Sequence, residues 1–302
     1  MRILRELGME PFVEWSRRPR GLRLSAVANA LDVGIQLVKD RVARMVESGV
    51  IVGYRLVPNL RHFGFGMTVY HLQDVTVPDP QRMSRLADVD GFVSVVWFLD
   101  SGLCINLSHA TEAEGRRRAQ LLARLVDSEG EARILYTIPL PAVTRELSDL
   151  DWRIIAALQD NARRPLQEVA QAVGVSMKTV RTRLQRMREE GSIDEFVALD
   201  LSRVAGVLPF QLTVWGDPGV EHALLDRFRD RNLAHLPRPD EKAYCDVMLR
   251  VFAFTPAEVQ AIVREALAVP GVTRAEALVA TGSWENPVWK QELMDRRLVT
   301  VS

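Results

Sequence analysis

Two cysteines in 302 residues, Cys104 and Cys245, lie far apart and in no CxxC spacing, which excludes a disulfide framework and a zinc ligand set built on cysteine. Both are expected to sit reduced and buried inside strands. The five histidines, His62, His71, His109, His222 and His235, show no HxxxH or HExxH arrangement, so neither a metal site nor a cofactor is expected. No apolar run approaches the roughly 18 residues of a membrane span. The opening MRILRELGMEPFVEW lacks the apolar core and small-residue cleavage site of a secretory leader. A cytoplasmic protein with no membrane partner is the expectation. The glycine pair around Gly64, GFG, lacks the remainder of a nucleotide-binding loop and reads as a turn entering a strand. An excess of charge of one sign is also missing: 39 Lys and Arg face 39 Asp and Glu. Taken globally, that balance speaks against a polyanionic partner, because phosphates are bound mainly by cations.

The chain does contain a repeat. LSAVANALDVGIQLVKDRVARMVESGVI, from Leu24 to Ile51, aligns without a gap on LQEVAQAVGVSMKTVRTRLQRMREEGSI, from Leu166 to Ile193, with about a dozen identities. The register continues to Gly64 in RHFG, opposite Gly206 in RVAG. Charge segregates within this repeat. Arg163, Arg164, Lys178, Arg181, Arg183, Arg186 and Arg188 are opposed before the helix end only by Glu168. The matching stretch carries Arg17, Arg18, Arg20, Arg23, Lys39, Arg41 and Arg44 against Asp32 and Asp40.

Periodicity fills in the elements. Leu147-Ser148-Asp149 starts a helix carrying Trp152, Ile154, Ile155 and Leu158 inward, and a second helix spans 166–173. Gly174 permits a left-handed reversal, Val175 plugs the core and Ser176 caps a third helix over 177–190, where Val180, Leu184 and Met187 form the buried stripe. A short hairpin is expected after each helical pair. The rest of each half then reads as βαββαβ, the split-βαβ plan. In the first half the strands are 67–75, 92–99, 103–108 and 131–138, with helices at 81–89 and 112–127. In the second the strands are 210–215, 233–236, 244–254 and 273–280, with helices at 220–231 and 256–267. The expected fold class is α+β: two winged helix-turn-helix domains (1–64 and 144–206), each followed by a ferredoxin-like domain (65–143 and 207–281), through internal duplication. A tail over 282–302, with Trp284 and Trp289, has no counterpart and is expected to form a terminal helix packing across domains.

LSDLDWRIIAALQDNARRPLQEVAQAVGVSMKTVRTRLQRMREEGSI resembles the opening domain of the Lrp/AsnC (feast/famine) transcriptional regulators, whose members begin with a Leu-Asp-x-x-Asp-x-x-Ile-Leu pattern. GVIVGYRLVPNLRHFG is similar to that family's wing and linker, through Ile51, Gly53, Tyr54, Asn59 and Gly64. YCDVMLRVFAFTPAEVQAIVREALAVPGVTRAEALVAT, with Asp246 and Pro270-Gly271-Val272, is similar to its effector-binding and dimerisation domain. The resemblance implies a DNA-binding regulator and no enzyme. Family members are usually half this length and pair through the α+β domain, so an intramolecular pseudo-dimer is implied, with further homodimers or higher oligomers.

A recognition helix enters the major groove with its N-terminal side chains on base edges and its cations on phosphate. By that logic Ser176, Lys178, Thr179, Arg181, Thr182, Arg183 and Arg186 are the DNA-contact candidates of the second copy, with Gln36, Lys39, Arg41 and Arg44 in the first. The first copy is expected to read DNA less well: Gly34, Gln36, Leu37 and Asp40 stand where Ser176, Lys178, Thr179 and Thr182 do, and Asp40 repels phosphate. Asp246 and Gly271 are, by resemblance, candidates for a small effector such as an amino acid. A second resemblance is to siroheme (tetrapyrrole) decarboxylases, enzymes of the same layout. Their His-Asn-Tyr cluster is reduced here to Asn106-Leu107 and His109 in FVSVVWFLDSGLCINLSHA.

Overall fold

The computed structural model describes residues 24–75, 80–99, 102–128, 130–200, 203, 206–229, 231–236, 244–286 and 288–298. In chain order, helices α1 (Leu24–Leu31) and α2 (Ile35–Glu47) lead into strand β1 (Ile51–Pro58) and a 3-10 turn, Leu60–Phe63. Next come β2 (Gly66–Leu72), α3 (Pro80–Ala87), β3 (Phe92–Phe98), β4 (Gly102–His109), α4 (Glu112–Leu125) and β5 (Arg133–Thr137). Helices α5 (Asp149–Leu158), α6 (Leu166–Val173) and α7 (Met177–Glu189) precede β6 (Ile193–Leu199). The chain ends with β7 (Leu208–Gly216), α8 (Val220–Arg227), β8 (Asn232–Leu236), β9 (Val247–Ala253), α9 (Pro256–Leu267), β10 (Val272–Glu285) and α10 (Trp289–Leu298). These elements divide into two compact units, one of residues 1–64, 139–204 and 291–302, the other of 65–138 and 205–290. Both copies of the repeat lie in the first unit.

Among the described residues of that unit, the expected hairpin after each helical pair is absent, and the two copies exchange strands. β1 pairs antiparallel with β6, from Ile51 opposite Leu199 to Pro58 opposite Ile193. Each copy contributes only one strand, so its backbone donors and acceptors find partners in the other copy. The side chains follow. Leu56 of β1 is buried in the core of α5, α6 and α7, beside Trp152, Ile155, Leu158, Val169, Val180, Leu184 and Met187. Val197 of β6 is buried with Val27, Ala28, Val38 and Val42 of α1 and α2. The second edge of β1 is held by the turn after α5: Leu56 N–H donates to the Gln159 carbonyl (3.4 Å) and Ala162 N–H to that of Tyr54 (2.9 Å). Beyond β1, the fully buried Asn59 amide donates to the Pro141 and Gly191 carbonyls, each at 2.9 Å. Met294 of α10 joins the α5–α7 core.

The second unit is built on one eight-stranded antiparallel sheet, ordered β5-β2-β4-β3-β10-β7-β9-β8. Each half contributes four adjacent strands in the split-βαβ order. Their helices cover cores around Tyr70, Ile105 and Leu122 in one half, and around Leu212, Leu249 and Ile262 in the other. β10 is longer than its expected 273–280. It pairs with β7 over Val272 to Val279 and then with β3 over Ala280 to Glu285, so the residues after 281 extend the sheet before any tail begins. Trp284 stacks on Phe92 (centroids 6.0 Å apart), and Trp289 Nε1–H donates to Ser108 Oγ (3.2 Å). Cys104 is buried in β4. Cys245 is buried too, but it precedes β9 and does not lie within it. Of its neighbours, Tyr244 N–H donates to the Ile134 carbonyl (2.6 Å), and Asp246 N–H to that of Val214 (3.0 Å), the β7 residue opposite Val247.

One buried carboxylate fixes α5 against α7. Ser148 caps α5, and Asp151 closes a capping box by accepting from the Ser148 N–H at 3.0 Å. Asp151 is fully buried and faces three guanidinium groups: Arg183 Nη1 at 3.0 Å, Arg145 Nη1 at 3.3 Å and Arg186 Nη2 at 3.6 Å. Burial alone pushes its carboxyl up. The Ser148 hydroxyl and N–H and the Arg183 guanidinium outweigh that and hold it below the ordinary carboxylate range. A depressed folded value contributes stability above the unfolded value and loses it as pH falls through the folded one. Acid titration of the melting temperature is therefore expected to fall steeply below about pH 5 in the wild type, and less steeply in Asp151→Asn. Leu56→Ala, which opens a cavity among α5, α6 and α7, is expected to cost about 2–5 kcal/mol in denaturant unfolding.

Candidate nucleic-acid interface

The α6–α7 corner is shaped by its sequence. Gly174 takes φ 72°, the left-handed conformation that glycine adopts without a Cβ clash, and the chain reverses there. Ser176 then caps α7, its Oγ accepting from Thr179 N–H at 3.1 Å. With Val180, Leu184 and Met187 buried, the opposite flank of α7 faces solvent. Ser176, Lys178, Arg181, Thr182 and Arg186 are exposed, while Thr179 and Arg183 are half-buried. The first turn of α7 thus offers hydroxyls, two cations and free backbone N–H groups at a helix N-terminus, a combination suited to phosphate and base edges.

The cations of this region are not equivalent. Arg163 stacks over the Tyr54 ring (3.8 Å), Arg164 pairs with Glu168 (3.2 Å), and Arg188 pairs with the buried Glu195 (2.6 Å). Arg183 is tied to Asp151 and to Ser148 Oγ (2.8 Å). Lys178 and Arg181 make no ion pair among the described residues. By sequence, Tyr54 belongs to a wing and Arg55 is not singled out. Tyr54 and Arg55, whose Nη1 donates to the Asp160 carbonyl at 2.7 Å, reach this corner from β1 of the other copy. Asp151 carried a signal, an acid three residues after a serine, but that spacing announces a cap and not an arginine cluster.

The α1–α2 pair differs. At the position aligned with Gly174 stands Asp32, also left-handed at φ 52°, where a side chain is strained. Gly34 at the N-cap of α2 makes no side-chain cap. Gln36, Lys39, Arg41 and Arg44 are all exposed, but Gln36 donates to Asp40 (2.7 Å), and Arg44 Nε–H donates to the Asp40 carbonyl (3.4 Å). Val33, Ile35 and Leu37 bring exposed apolar surface to the turn. Arg17, Arg18, Arg20 and Arg23 lie outside the described residues.

In the second unit, the two effector candidates meet at one corner. Asp246 accepts from the Gly216 N–H (3.0 Å), and the Gly271 carbonyl accepts from Asp217 N–H (2.9 Å). Gly271 has φ 87°, and a Cβ there would press on Val220 and Asp217. Asn106 and His109 lie apart from that corner. Asn106 donates to Ser94 Oγ (2.7 Å), and His109 Nε2 shares a hydrogen bond with Thr68 Oγ1 (2.8 Å). Burial holds the His109 imidazole below its ordinary value.

Comparison with known proteins places the second copy. Residues 147–188 match the model of the AsnC-type helix-turn-helix domain. The HTH-type transcriptional regulator FL11 of Pyrococcus furiosus is 38% identical over 53 residues, 18% of this chain and 35% of that protein. The HTH-type transcriptional regulator AldR of Mycolicibacterium smegmatis is 40% identical over 58 residues, 19% of this chain and 34% of that protein. The chain thus spans about a third of the length of these curated relatives. Among solved structures, the siroheme decarboxylase NirDL shares the fold over 99% of this chain and 98% of its own, with a TM-score of 0.53 and 16% identity. By the family match, residues 147–188 are an AsnC-type helix-turn-helix domain, and over this segment the chain is similar to HTH-type transcriptional regulators.

Proposed function

We propose that the protein is an Lrp/AsnC-like transcriptional regulator that reads duplex DNA through the major groove, with α7 as its recognition helix. The observation that carries this reading is the exposed first turn of α7 within the matched domain, where Ser176, Lys178, Arg181 and Thr182 face solvent. Base edges fall to Ser176, Lys178, Thr179 and Thr182, and backbone phosphates to Arg181, Arg183 and Arg186. The aligned α1–α2 pair is a second, weaker reader, in which Gln36, Lys39, Arg41 and Arg44 make the contacts and Asp40 opposes them. In this reading the chain is a tandem duplication, each winged helix-turn-helix followed by a ferredoxin-like domain, and it assembles further into homo-oligomers.

The fold shared with a siroheme decarboxylase supports an enzyme less well, because the two residues that echo such a site, Asn106 and His109, are engaged in hydrogen bonds within the sheet. The effector part of the proposal rests on Asp246 and Gly271, which converge on the turn at Gly216 and Asp217.

Genomic-fragment selection followed by footprinting is expected to yield a duplex site. On that site, Lys178→Ala and Arg181→Ala should each make the log-log salt dependence of binding shallower by up to about one unit. Lys39→Ala and Arg41→Ala should change it less. Absence of any selected duplex, together with a visible spectral shift on adding siroheme, overturns the reading in favour of the enzyme. A thermal-shift screen of amino acids is expected to raise the melting temperature with at least one of them, and Asp246→Ala should abolish that rise; a flat screen removes the effector.

A further inference from the structure

We infer that Asp151 is a positioning residue for DNA contact, holding Arg183 and Arg186 as a paired grip on backbone phosphate. The inference rests on the duplex-binding reading and adds a residue that touches no DNA. Capping α5 needs Ser148 and the Asp151 carboxylate alone, yet three guanidinium groups converge on that carboxylate. Arg145 is shared with a second acid, its Nε lying 2.7 Å from Glu190 Oε2. Arg183 and Arg186 have no other acidic partner among the described residues, so three cations face two anions.

The geometry leaves both arginines available. Each meets Asp151 through one terminal nitrogen, and their side chains remain 29% and 46% exposed. A guanidinium carries five N–H donors, so one held at a single nitrogen keeps most of its fork for a second anion. At i and i+3 on α7 the two share a face. Anchoring removes rotamer freedom before binding, which lowers the entropic cost of the phosphate contact.

The test is Asp151→Asn in the full chain, with affinity for the selected duplex measured across a salt titration and a thermal melt alongside. Removing a negative charge beside DNA should, on charge alone, tighten binding. Positioning requires the reverse: binding weaker by about tenfold and a salt slope shallower by up to about two units. A folded Asp151→Asn variant that binds as tightly as the wild type, or more tightly, overturns the inference. Arg183→Lys guards against a variant that fails to fold: it keeps the charge but gives up the planar fork, whose separate nitrogens let one side chain hold Asp151 and reach a phosphate in a fixed geometry. A shallower slope by about one unit is expected there, and an unchanged slope overturns the inference. Wild type that binds no duplex ends the functional reading and this inference with it, whereas wild-type binding with unaltered variants ends this inference alone.

Discussion

The first unit depends on reciprocal pairing of β1 with β6. Each strand satisfies the other's backbone groups, and each delivers an apolar side chain to the core beneath the opposite copy, Leu56 in one direction and Val197 in the other. Burying such side chains contributes about 1.5–3 kcal/mol apiece, and each ladder hydrogen bond adds about 1 kcal/mol net. Neither core is complete with its own residues. That dependence gives the first copy a structural task separate from any reading of DNA: without β1, Trp152 and Leu158 lose a neighbour, and the turn at 159–162 loses the backbone it is bonded to.

This division of labour fits the differences between the two repeats. The helix core positions are apolar in both, Val27, Val38 and Val42 aligning with Val169, Val180 and Leu184, whereas the strands differ, with Arg55 standing opposite Val197 in the alignment. The corner between the helices also differs in the first copy. There Asp32 accepts a left-handed backbone that Gly174 adopts without strain, and Gly34 leaves α2 without the cap that Ser176 provides. Glycine in place of a serine cap costs only about a few tenths of a kcal/mol, an amount the exchanged strand can offset. What the first copy gives up is the set of donors at its helix N-terminus.

Much of the fold is legible in the sequence because it is local. Val180, Leu184 and Met187 announce the buried stripe of α7, and Gly174 and Ser176 its entry. Strand partners are not legible. Periodicity tells which face of β1 is buried but not whose strand lies beside it, so a hairpin is expected where an exchange is found. The extension of β10 past 281 is hidden for a similar reason: Gly282 and Ser283 read as a break until β3 is seen opposite them. At the candidate interface the exposed cations of α7 can be named from spacing alone. Their inequality cannot, because Arg183 owes its constraint to Asp151, 32 residues earlier, and Arg163 owes its to Tyr54, on the exchanged strand.

The neutral overall charge is consistent with a polyanionic partner once the pairing of charges is considered. Acids in the second copy are largely engaged on the protein side of its arginines: Glu195 on Arg188, Glu168 on Arg164, Glu190 on Arg145 and Asp151 on the cluster it anchors. Paired charges contribute little to the field a few ångströms away, whereas Lys178 and Arg181 stand uncompensated beside the positive end of α7. A surplus of only a few charges, confined to one turn of one helix, is felt within a Debye length of about 8–10 Å. That is the range at which a phosphate backbone meets a helix entering its groove, so the local arrangement governs the encounter and the sum over the chain does not.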